Sequence, residues 1–319
     1  TLTITAGGVM SIGTASSFSR ASNSLMAGGT LAFGSQQATF HTIFSDLAVG
    51  ALTGTGGFVK TGDGSLTIGS ASSISGPVSL ASGLLRFGGN FTATGALTIG
   101  DRTASKPILD LTALGTTSLG VNATFGSIAS TGNNNFILLG AGSILSVGGD
   151  NTSTTLNTPI AGAGSFNKTG SGTLSINYAS TYTGATNIGT GSTIKLTAAT
   201  ALPKTTTVAL TGTGTLDINN NAVTISGLSG DTTSVVTNSN TTPTAITIGP
   251  DAGVVSTTYS GTIGSTNVTF TKSGGGTLTL NGTAGTGAGT WTLSGGVLKL
   301  DYTGISNSSN IIASGTGFT

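Results

Sequence analysis

One stretch decides the fold: Gly162-Ala-Gly-Ser-Phe-Asn-Lys-Thr-Gly-Ser-Gly-Thr-Leu-Ser-Ile176, which the chain contains in three versions. Residues 54–68 align with it without gaps, and residues 270–280 align across the shared middle. The same lysine marks each copy, at Lys60, Lys168 and Lys272, with separations of 108 and 104 positions. Internal repetition at this scale is typical of architectures that stack one structural unit on the next.

A second block follows each first block at a nearly constant distance. Its central cation lies 26, 27 and 27 positions after the reference lysine. The three versions are Leu85-Arg86-Phe87, Ile194-Lys195-Leu196 and Leu298-Lys299-Leu300. We therefore define three repeat blocks, at about 54–87, 162–196 and 264–300.

Each block has the pattern of a strand, a glycine turn and another strand. Leu66 and Ile68 are spaced by two, so both point to one face while Thr67 points to the other. The turn Lys-Thr/Ser-Gly-x-Gly supplies residues that accept positive φ. Further short strands are predicted at residues 31–33, 108–111, 144–147, 215–218, 223–225 and 245–248.

Composition supports an all-β chain. Thr, Ser and Gly make up close to half of the 319 residues, charged residues 6%, and Glu does not occur. Thr, Val and Ile favour strands, whereas the strong helix formers are scarce. A hydrophobic fraction of 36% and a mean hydropathy of +0.30 argue against disorder.

Many short strands also fit a β-sandwich, but hairpin turns are rare here. Asp63-Gly64 and Asn281-Gly282 are the main hairpin candidates. Parallel stacking is therefore favoured, and we predict a single elongated β-solenoid over residues 1–319 without significant helix. At roughly 20 residues per turn and about 4.8 Å between strands, about 16 turns would span on the order of 75 Å.

The middle copy resembles a known repeat. Residues 162–177, Thr181-Tyr-Thr-Gly-Ala-Thr-Asn-Ile188 and residues 191–196 are similar to the autotransporter-associated β-strand repeat of bacterial surface proteins. The first copy has Ile74-Ser-Gly-Pro77 in place of Tyr-Thr-Gly, and the third has Gly285-Thr-Gly-Ala288. This resemblance implies a right-handed parallel β-helix, exported and displayed outside a bacterium. It implies a scaffold and no chemistry.

Candidate catalytic and metal residues are few. His41 stands near Ser45 and Asp46, but neighbours on one strand point apart, so we interpret His41 as a turn or surface residue. The densest acidic sets are Asp101-Arg102 with Asp110, and Asp217 with Asp231. An acid pair or a calcium site is one interpretation, but turn-forming aspartates are favoured.

The repeated lysines are predicted to be solvated turn residues. As a binding row, Lys60, Lys168 and Lys272 would stand about five coils apart, too far to share a ligand. Thr-x-Thr pairs, at Thr1/Thr3, Thr3/Thr5 and Thr277/Thr279, suggest an ice-binding hydroxyl array. The unequal repeat spacing argues against such an array, because it requires threonine stacked on threonine.

Other function classes lack support in the sequence. A net charge of +1 with scattered cations favours neither nucleic acid nor an anionic membrane surface. The apolar runs fall short of the roughly 18 residues that suggest a membrane-spanning helix, and there is no cysteine. We predict no enzyme activity, no catalytic, cofactor-binding or metal-binding residues, and no cofactor.

The resulting hypothesis is a non-catalytic extracellular structural protein of a bacterial surface. Residues 1–4 read as a bare strand and residues 306–319 are uncharged, so neither end shows a cap. We therefore expect self-association, end to end or by strand exchange, into a fibre, sheath or surface layer. The alternative is an adhesin passenger that binds host or matrix glycans through loops such as Asn133-Asn-Asn135. A polysaccharide lyase is a remote alternative.

Overall fold

A computed structural model shows parallel strands stacked as a β-solenoid of about 12 turns. It describes residues 9–12, 16–20, 24–25, 29–43, 46–100, 106–112, 120–132, 134–249, 254–281, 288–303 and 311–312. Side chains are described from residue 29 onward, except that of Ala288. Strands, turns and bends make up the regular structure of these residues, and none of them is helical. The prediction of an all-β parallel solenoid is confirmed.

Contacts divide the chain into two compact units, Thr1–Ser165 (unit 1) and Phe166–Thr319 (unit 2). The strands that lie within unit 1 are β1 (Val9–Ile12), β2 (Ser16–Arg20), β3 (Ser24–Leu25), β4 (Thr30–Phe33), β5 (Ala38–Thr42), β6 (Leu47–Val49), β7 (Ala51–Gly54), β8 (Phe58–Thr61), β9 (Ser65–Ile68), β10 (Ser72–Ile74), β11 (Val78–Leu80), β12 (Leu84–Phe87), β13 (Phe91–Ala93), β14 (Leu97–Ile99), β15 (Ile108–Leu111), β16 (Asn122–Phe125), β17 (Ile128–Ser130), β18 (Phe136–Leu139), β19 (Ile144–Val147), β20 (Thr154–Leu156) and β21 (Ile160–Gly162).

The remaining strands belong to unit 2, apart from the first residue of β22. They are β22 (Ser165–Lys168), β23 (Thr173–Ile176), β24 (Thr186–Ile188), β25 (Thr193–Leu196), β26 (Thr207–Leu210), β27 (Thr215–Asp217), β28 (Val223–Ile225), β29 (Gly227–Gly230), β30 (Val235–Thr237), β31 (Thr244–Ile248), β32 (Thr257–Tyr259), β33 (Thr262–Ile263), β34 (Val268–Lys272), β35 (Thr277–Leu280), β36 (Ala288–Leu293) and β37 (Val297–Leu300).

Unit 1 winds through three parallel sheets, which include all of its strands except β20. The first sheet contains β1, β4, β7, β10, β13, β16 and β19, and the second contains β2, β5, β8, β11, β14 and β17. The third contains β3, β6, β9, β12, β15, β18 and β21. Each strand therefore pairs with the strand three places along the chain, as in the register of β8 with β11.

Unit 2 also has three sheets, but its third sheet begins only at β28, two coils after the other two sheets. The first sheet runs through β22, β24, β26, β29, β32, β35 and β37, and the second continues from β23 through β25, β27, β30 and β33. The third contains β28, β31, β34 and β36. On the two preceding coils this side of the solenoid is formed by residues 177–185 and 197–206, which contain no strand.

The coils differ in length, which explains why there are fewer turns than the predicted 16. Phe91 of β13 pairs with Ala123 of β16, 32 positions later, whereas Ser72 of β10 pairs with Phe91 after 19 positions. In unit 2, Gly230 pairs with Tyr259, 29 positions later. In these long coils the strands still pair with the next coil. Between β34 and β36 the register shifts between Val268 and Phe270. An estimate based on a uniform coil length therefore gives too many turns.

The core of each unit is built from side chains that alternate inward along the strands. In unit 1 the inward column includes a chain of phenylalanines, in which Phe40 and Phe58 lie 5.6 Å apart edge to face. Phe87 and Phe91 stack at 4.4 Å, and Phe91 continues to Phe125 at 5.6 Å. Such aromatic pairs add about 0.5–1.5 kcal/mol to the gain from buried area. The backbone hydrogen bonds and the contacts between buried aromatic rings therefore both link successive coils.

Replacing Phe58 by alanine should lower the free energy of unfolding by about 3–5 kcal/mol, because the cavity cannot collapse between paired rungs. The matched control is Val59→Ala, which changes the next residue of β8 on the half-buried outer face and should cost much less. Urea unfolding followed by circular dichroism measures both. Equal losses in the two variants would contradict the inward and outward assignment.

Candidate functional site

The three repeated lysines lie inside the solenoid. Lys60, Lys168 and Lys272 are each at most 1% exposed. In every copy a buried phenylalanine precedes the lysine by two residues, as Phe58 precedes Lys60. The two side chains therefore share the inward face of the strand. The prediction of solvated turn lysines is wrong, because each lysine lies within a strand and its side chain is buried.

Each lysine places its ammonium group among the carbonyl oxygens of the following turn. Lys60 Nζ donates to the carbonyls of Thr61 at 3.0 Å, Gly62 at 2.8 Å and Ser82 at 3.1 Å. Ser82 lies on the next coil, so this lysine links two rungs. An ammonium has three N–H donors, and at Lys60 all three have an acceptor.

The same arrangement recurs in the other two copies. Lys168 Nζ bonds to the carbonyls of Thr169 at 2.6 Å and Gly170 at 3.2 Å. Lys272 Nζ bonds to those of Ser273 and Gly274, the latter at 3.3 Å. The glycine two residues after the lysine has positive φ in each copy: 78° at Gly62, 68° at Gly170 and 67° at Gly274. The turn glycine thus allows the backbone to present its carbonyls to the ammonium.

A glycine on the next coil covers two of these lysines. A Cβ atom at Gly83 would lie 2.7 Å from Nζ of Lys60, and one at Gly296 would lie 2.8 Å from Nζ of Lys272. The lysine stem meanwhile packs in the apolar column, because Lys60 is in register with Phe40 on one side and Leu80 on the other. These sites are closed by the protein itself and leave no space for a ligand at the ammonium.

Burial changes the protonation equilibrium of the lysines. Desolvation lowers the pKa of Lys60 from 10.5 to about 8, and the negative charge of Asp63 opposes this shift. Burial also lowers the pKa of Lys272. At neutral pH the Lys60 ammonium is therefore still the predominant form, and it serves as a donor to the turn.

The cations of the second block each pair with an aspartate, two of them across the rungs. Arg86 is in register with Asp110, and its Nη2 lies 2.7 Å from Asp110 Oδ2. Lys195 is in register with Asp217, with its Nζ 3.8 Å from Asp217 Oδ2. Lys299 differs, since it pairs with Asp301 two residues along the chain at 2.9 Å. Two of the three cations therefore join successive coils.

Asp110 and Asp217 bond to the backbone of their own turns, as predicted, whereas the carboxylate of Asp231 bonds to a neighbouring coil. Asp110 Oδ1 accepts the backbone N–H of Thr112 at 2.8 Å, and Asp217 Oδ1 accepts that of Asn219 at 2.9 Å. Asp231 Oδ2 accepts the N–H of Gly212 at 2.7 Å. In the described part of the chain, no three acidic or histidine side chains lie close enough to hold a metal ion. Asp101 and Arg102 lie outside the described residues.

The histidine does not form a triad with its sequence neighbours. Nδ1 of His41, on β5, lies 2.8 Å from Oγ1 of Thr61 on the next coil. Asp46 instead accepts a hydrogen bond from Ser65 at 2.5 Å, and Ser45 lies outside the described residues. His41 lies on the outward, half-buried face of a strand. The prediction of a turn or surface residue is therefore wrong about the turn and agrees with the structure about the surface.

The asparagine run proposed for glycan binding is partly internal. Asn135 is fully buried, and its Nδ2 donates to the carbonyl of Gly100 at 2.8 Å. Its Oδ1 accepts a hydrogen bond from Thr158 Oγ1, also at 2.8 Å. Asn133 lies outside the described residues. Asn135 therefore bridges neighbouring coils and is not available as a surface ligand.

Tyr182, from the Tyr-Thr-Gly segment, closes the side of unit 2 that lacks strands. Its ring is buried, and its hydroxyl lies 2.5 Å from Thr186 Oγ1. Thr186 Oγ1 is 2.9 Å from Thr206 Oγ1, which donates to the carbonyl of Gly184 at 2.7 Å. Burial raises the pKa of Tyr182. The tyrosine thus fills the interior where a third strand is missing.

The same side of unit 2 carries an open cleft of about 510 Å³. It lies beside the strand-free segments 177–185 and 197–206. Its far end is formed by Ala222 and Thr224, at the start of β28. Small, apolar and hydroxyl-bearing side chains predominate, with Lys204 as the charged member of the lining. The lining residues are Ala179, Ser180, Thr181, Ala199, Thr200, Leu202, Pro203, Lys204, Ala222 and Thr224. The size is within the range of ligand pockets, about 300–1,000 Å³.

Comparisons with known proteins add no identification. No family model matches the chain, and no curated protein or solved structure matches it. Among the described residues no helix is long and apolar enough to cross a membrane.

The lysine site can be tested by Lys60→Met, which keeps most of the stem and removes the ammonium. Three turn carbonyls would lose their donor, so we expect the free energy of unfolding to fall by about 1–3 kcal/mol. The control is Lys204→Met, which changes an exposed lysine and should alter stability by less than about 0.5 kcal/mol. A Lys60→Met variant as stable as the wild type would show that desolvation of the ammonium cancels its hydrogen bonds.

The lowered pKa of Lys60 also predicts a pH dependence. Between pH 8 and 10.5 the unfolded chain keeps a proton at Lys60 that the folded chain has lost, so the contribution of Lys60 to the free energy of unfolding rises with pH. The Lys60→Met variant lacks this contribution. The difference in unfolding free energy between the two proteins should therefore widen from pH 7 to pH 10 in denaturant titrations. A constant or shrinking difference would contradict the lowered pKa.

Proposed function

We propose that this protein is a non-catalytic structural component of a bacterial surface, located outside the cell. The proposal rests on one observation: the charged residues that recur with the repeat bond to the protein itself. The lysines of the first block bond to turn carbonyls inside the coil. Two cations of the second block pair with aspartate on the next coil. The residues that recur with the repeat thus stabilise the winding.

The resemblance of residues 162–196 to the autotransporter-associated β-strand repeat supports the location of this proposal. Proteins that carry such repeats are displayed on bacterial surfaces. The absence of cysteine is compatible with that setting, because hydrogen-bonded rungs and inward aliphatic columns stabilise the fold. Each buried aliphatic side chain contributes about 1.5–3 kcal/mol.

Self-association is the second element of the proposal, and β37 in unit 2 supports it. Among the described strands, β37 pairs with β35 on one side and has no partner on the other. Large apolar side chains are exposed beside this edge, at Leu293, Val297, Leu300 and Tyr302. An unpaired edge with exposed apolar side chains is a template for pairing with another chain. We infer that copies of the protein join here into a fibre, sheath or surface layer.

The cleft of unit 2 favours one second candidate, an adhesin segment that binds a glycan. Its volume of about 510 Å³ accommodates a small sugar, and Ser180, Thr181 and Thr200 bring hydroxyl groups to its lining. In this alternative the molecule acts through a bound ligand. Assembly is then not required for function.

Sedimentation velocity and negative-stain electron microscopy over a concentration series test the proposal. The wild type should assemble as concentration rises, and Val297→Lys should reduce assembly because a charged edge residue opposes strand addition. The matched control is Val254→Lys, which places the same charge at another exposed valine and should leave assembly unchanged.

Two outcomes would contradict self-association. One is a wild type that stays monomeric at the highest concentration, and the other is an equal effect of the two lysine substitutions. A monomeric protein that binds on a glycan array, and loses binding on Ala199→Trp in the cleft, would support the adhesin alternative instead.

A further inference from the structure

The third sheet of unit 2 begins with an unpaired strand edge. β28 pairs with β31 on one side, and among the described strands it has no partner on the other side. Such an edge presents backbone N–H and C=O groups that can pair with another chain. The edge of β28 lies beside the cleft of unit 2, because Ala222 and Thr224 both contribute to the lining of that cleft.

The preceding coil is tied to the coil of β28 at two points and departs from it between them. At the first point, the carbonyl of Leu196 accepts a hydrogen bond from Asn221 Nδ2 at 3.0 Å. At the second, the carbonyl of Thr206 accepts one from the N–H of Ser226 at 2.9 Å. The preceding coil uses ten positions between these ties, whereas the coil of β28 uses five. The surplus residues leave the path of a strand, and this detour opens the cleft.

Two turns occupy the detour. The N–H of Ala201 donates to the carbonyl of Ala198 at 3.2 Å, and the N–H of Thr206 donates to that of Pro203 at 3.1 Å. Pro203 has no N–H to offer to a neighbouring strand. The side chains of Leu202 and Pro203 are buried and line the cleft. The detour therefore fills the interior and forms an apolar floor, and it does not serve as a strand partner for β28.

The backbone of Thr224 points toward the side of the cleft. In parallel strands, the N–H and C=O of one residue point to the same side, and those of the next residue point to the opposite side. The C=O of Ile225 accepts the N–H of Gly249 at 2.9 Å, which places it on the β31 side. The N–H of Ser226 bonds to the preceding coil. Thr224 therefore directs its N–H and C=O away from β31, and within the described part of the chain neither group has a hydrogen-bond partner.

These features favour an extended peptide as the ligand. A peptide strand at this edge would accept a hydrogen bond from the N–H of Thr224 and donate one to its C=O, as in recognition by strand addition. Every second side chain of the peptide would face the apolar floor at Leu202 and Pro203. Lys204 is exposed and is the charged residue of the lining. A carboxylate on the peptide complements that charge.

We propose that the cleft of unit 2 binds an acidic peptide in extended conformation, which adds to the third sheet beside β28. The peptide occupies the position in the sheet that the detour of the preceding coil leaves without a strand. This site lies apart from the β37 edge proposed for self-association, so it gives the scaffold a binding function that does not depend on assembly.

Fluorescence anisotropy with labelled peptides, measured on the whole chain, tests the proposal. The probes alternate threonine and valine, carry fluorescein at the N-terminus, and end in an amidated aspartate, serine or lysine. The aspartate probe should bind saturably and several-fold more tightly than the serine probe, and the lysine probe should bind most weakly. An aspartate probe with N-methylated backbone amides should bind about tenfold more weakly or worse, because methylation removes the donors that pair with the strand edge.

Lys204→Glu should reverse the order of the aspartate and lysine probes. The matched control is Lys106→Glu, which makes the same change of charge at an exposed lysine of unit 1 and should keep the wild-type order. Circular dichroism should show that both variants remain folded, and the comparison of probes on the wild type needs no variant.

Three results would overturn the proposal. The first is a wild type that binds none of the probes saturably, and the second is equal affinity for the methylated and unmethylated aspartate probes. The third is an equal effect of the two glutamate substitutions on the order of the probes. Binding to a glycan array without binding to the peptides would assign the cleft to the adhesin alternative instead.

Discussion

In-register parallel pairing of successive coils is the constraint on which the rest of the structure depends. Once Phe58 is in register with Val78 and Lys60 with Leu80, every second side chain is fixed inside the coil. A side chain at an inward position must meet two conditions. It must fit the apolar column, and any polar atom that it carries must find a partner at the end of the strand. Phenylalanine, leucine and the stem of lysine all satisfy the first condition. The turn carbonyls satisfy the second for lysine alone, because its ammonium reaches them.

The buried lysine shows how a polar group can belong to an apolar column. An isolated charge in the interior is costly, and a buried ion pair often contributes little net stability. Here the ammonium meets carbonyl oxygens that a positive-φ glycine turns toward it, so acceptors and donor satisfy each other. On the outer face, Asp110 is satisfied in a similar way. Its carboxylate accepts hydrogen bonds both from Arg86 and from the N–H of its own turn.

The sequence predicts the strands well and the roles of several polar residues poorly. Alternation of Leu66 and Ile68 predicts β9, and the turn glycines predict its neighbours, since these patterns are local. The burial of Lys60 was also visible in the sequence, because Phe58-Val-Lys60 puts the lysine on the face of the phenylalanine. The charge of lysine, by contrast, suggests an exposed side chain, and here the spacing is the better guide. The pairing of Arg86 with Asp110 and the burial of Asn135 depend on coil lengths, which the sequence does not state.

The coils differ in length, yet their strands still pair. The pairing of the strands is therefore fixed, whereas the length of the connections can vary. The register of Phe91 with Ala123 survives a 32-position coil as well as the register of Ser72 with Phe91 survives one of 19. Length added in a connection changes neither the rung below nor the rung above. Such a connection is a natural site for grafting a foreign epitope or a reporter peptide. A peptide inserted there would be displayed on an intact scaffold. The choice of coil would set its position along the solenoid.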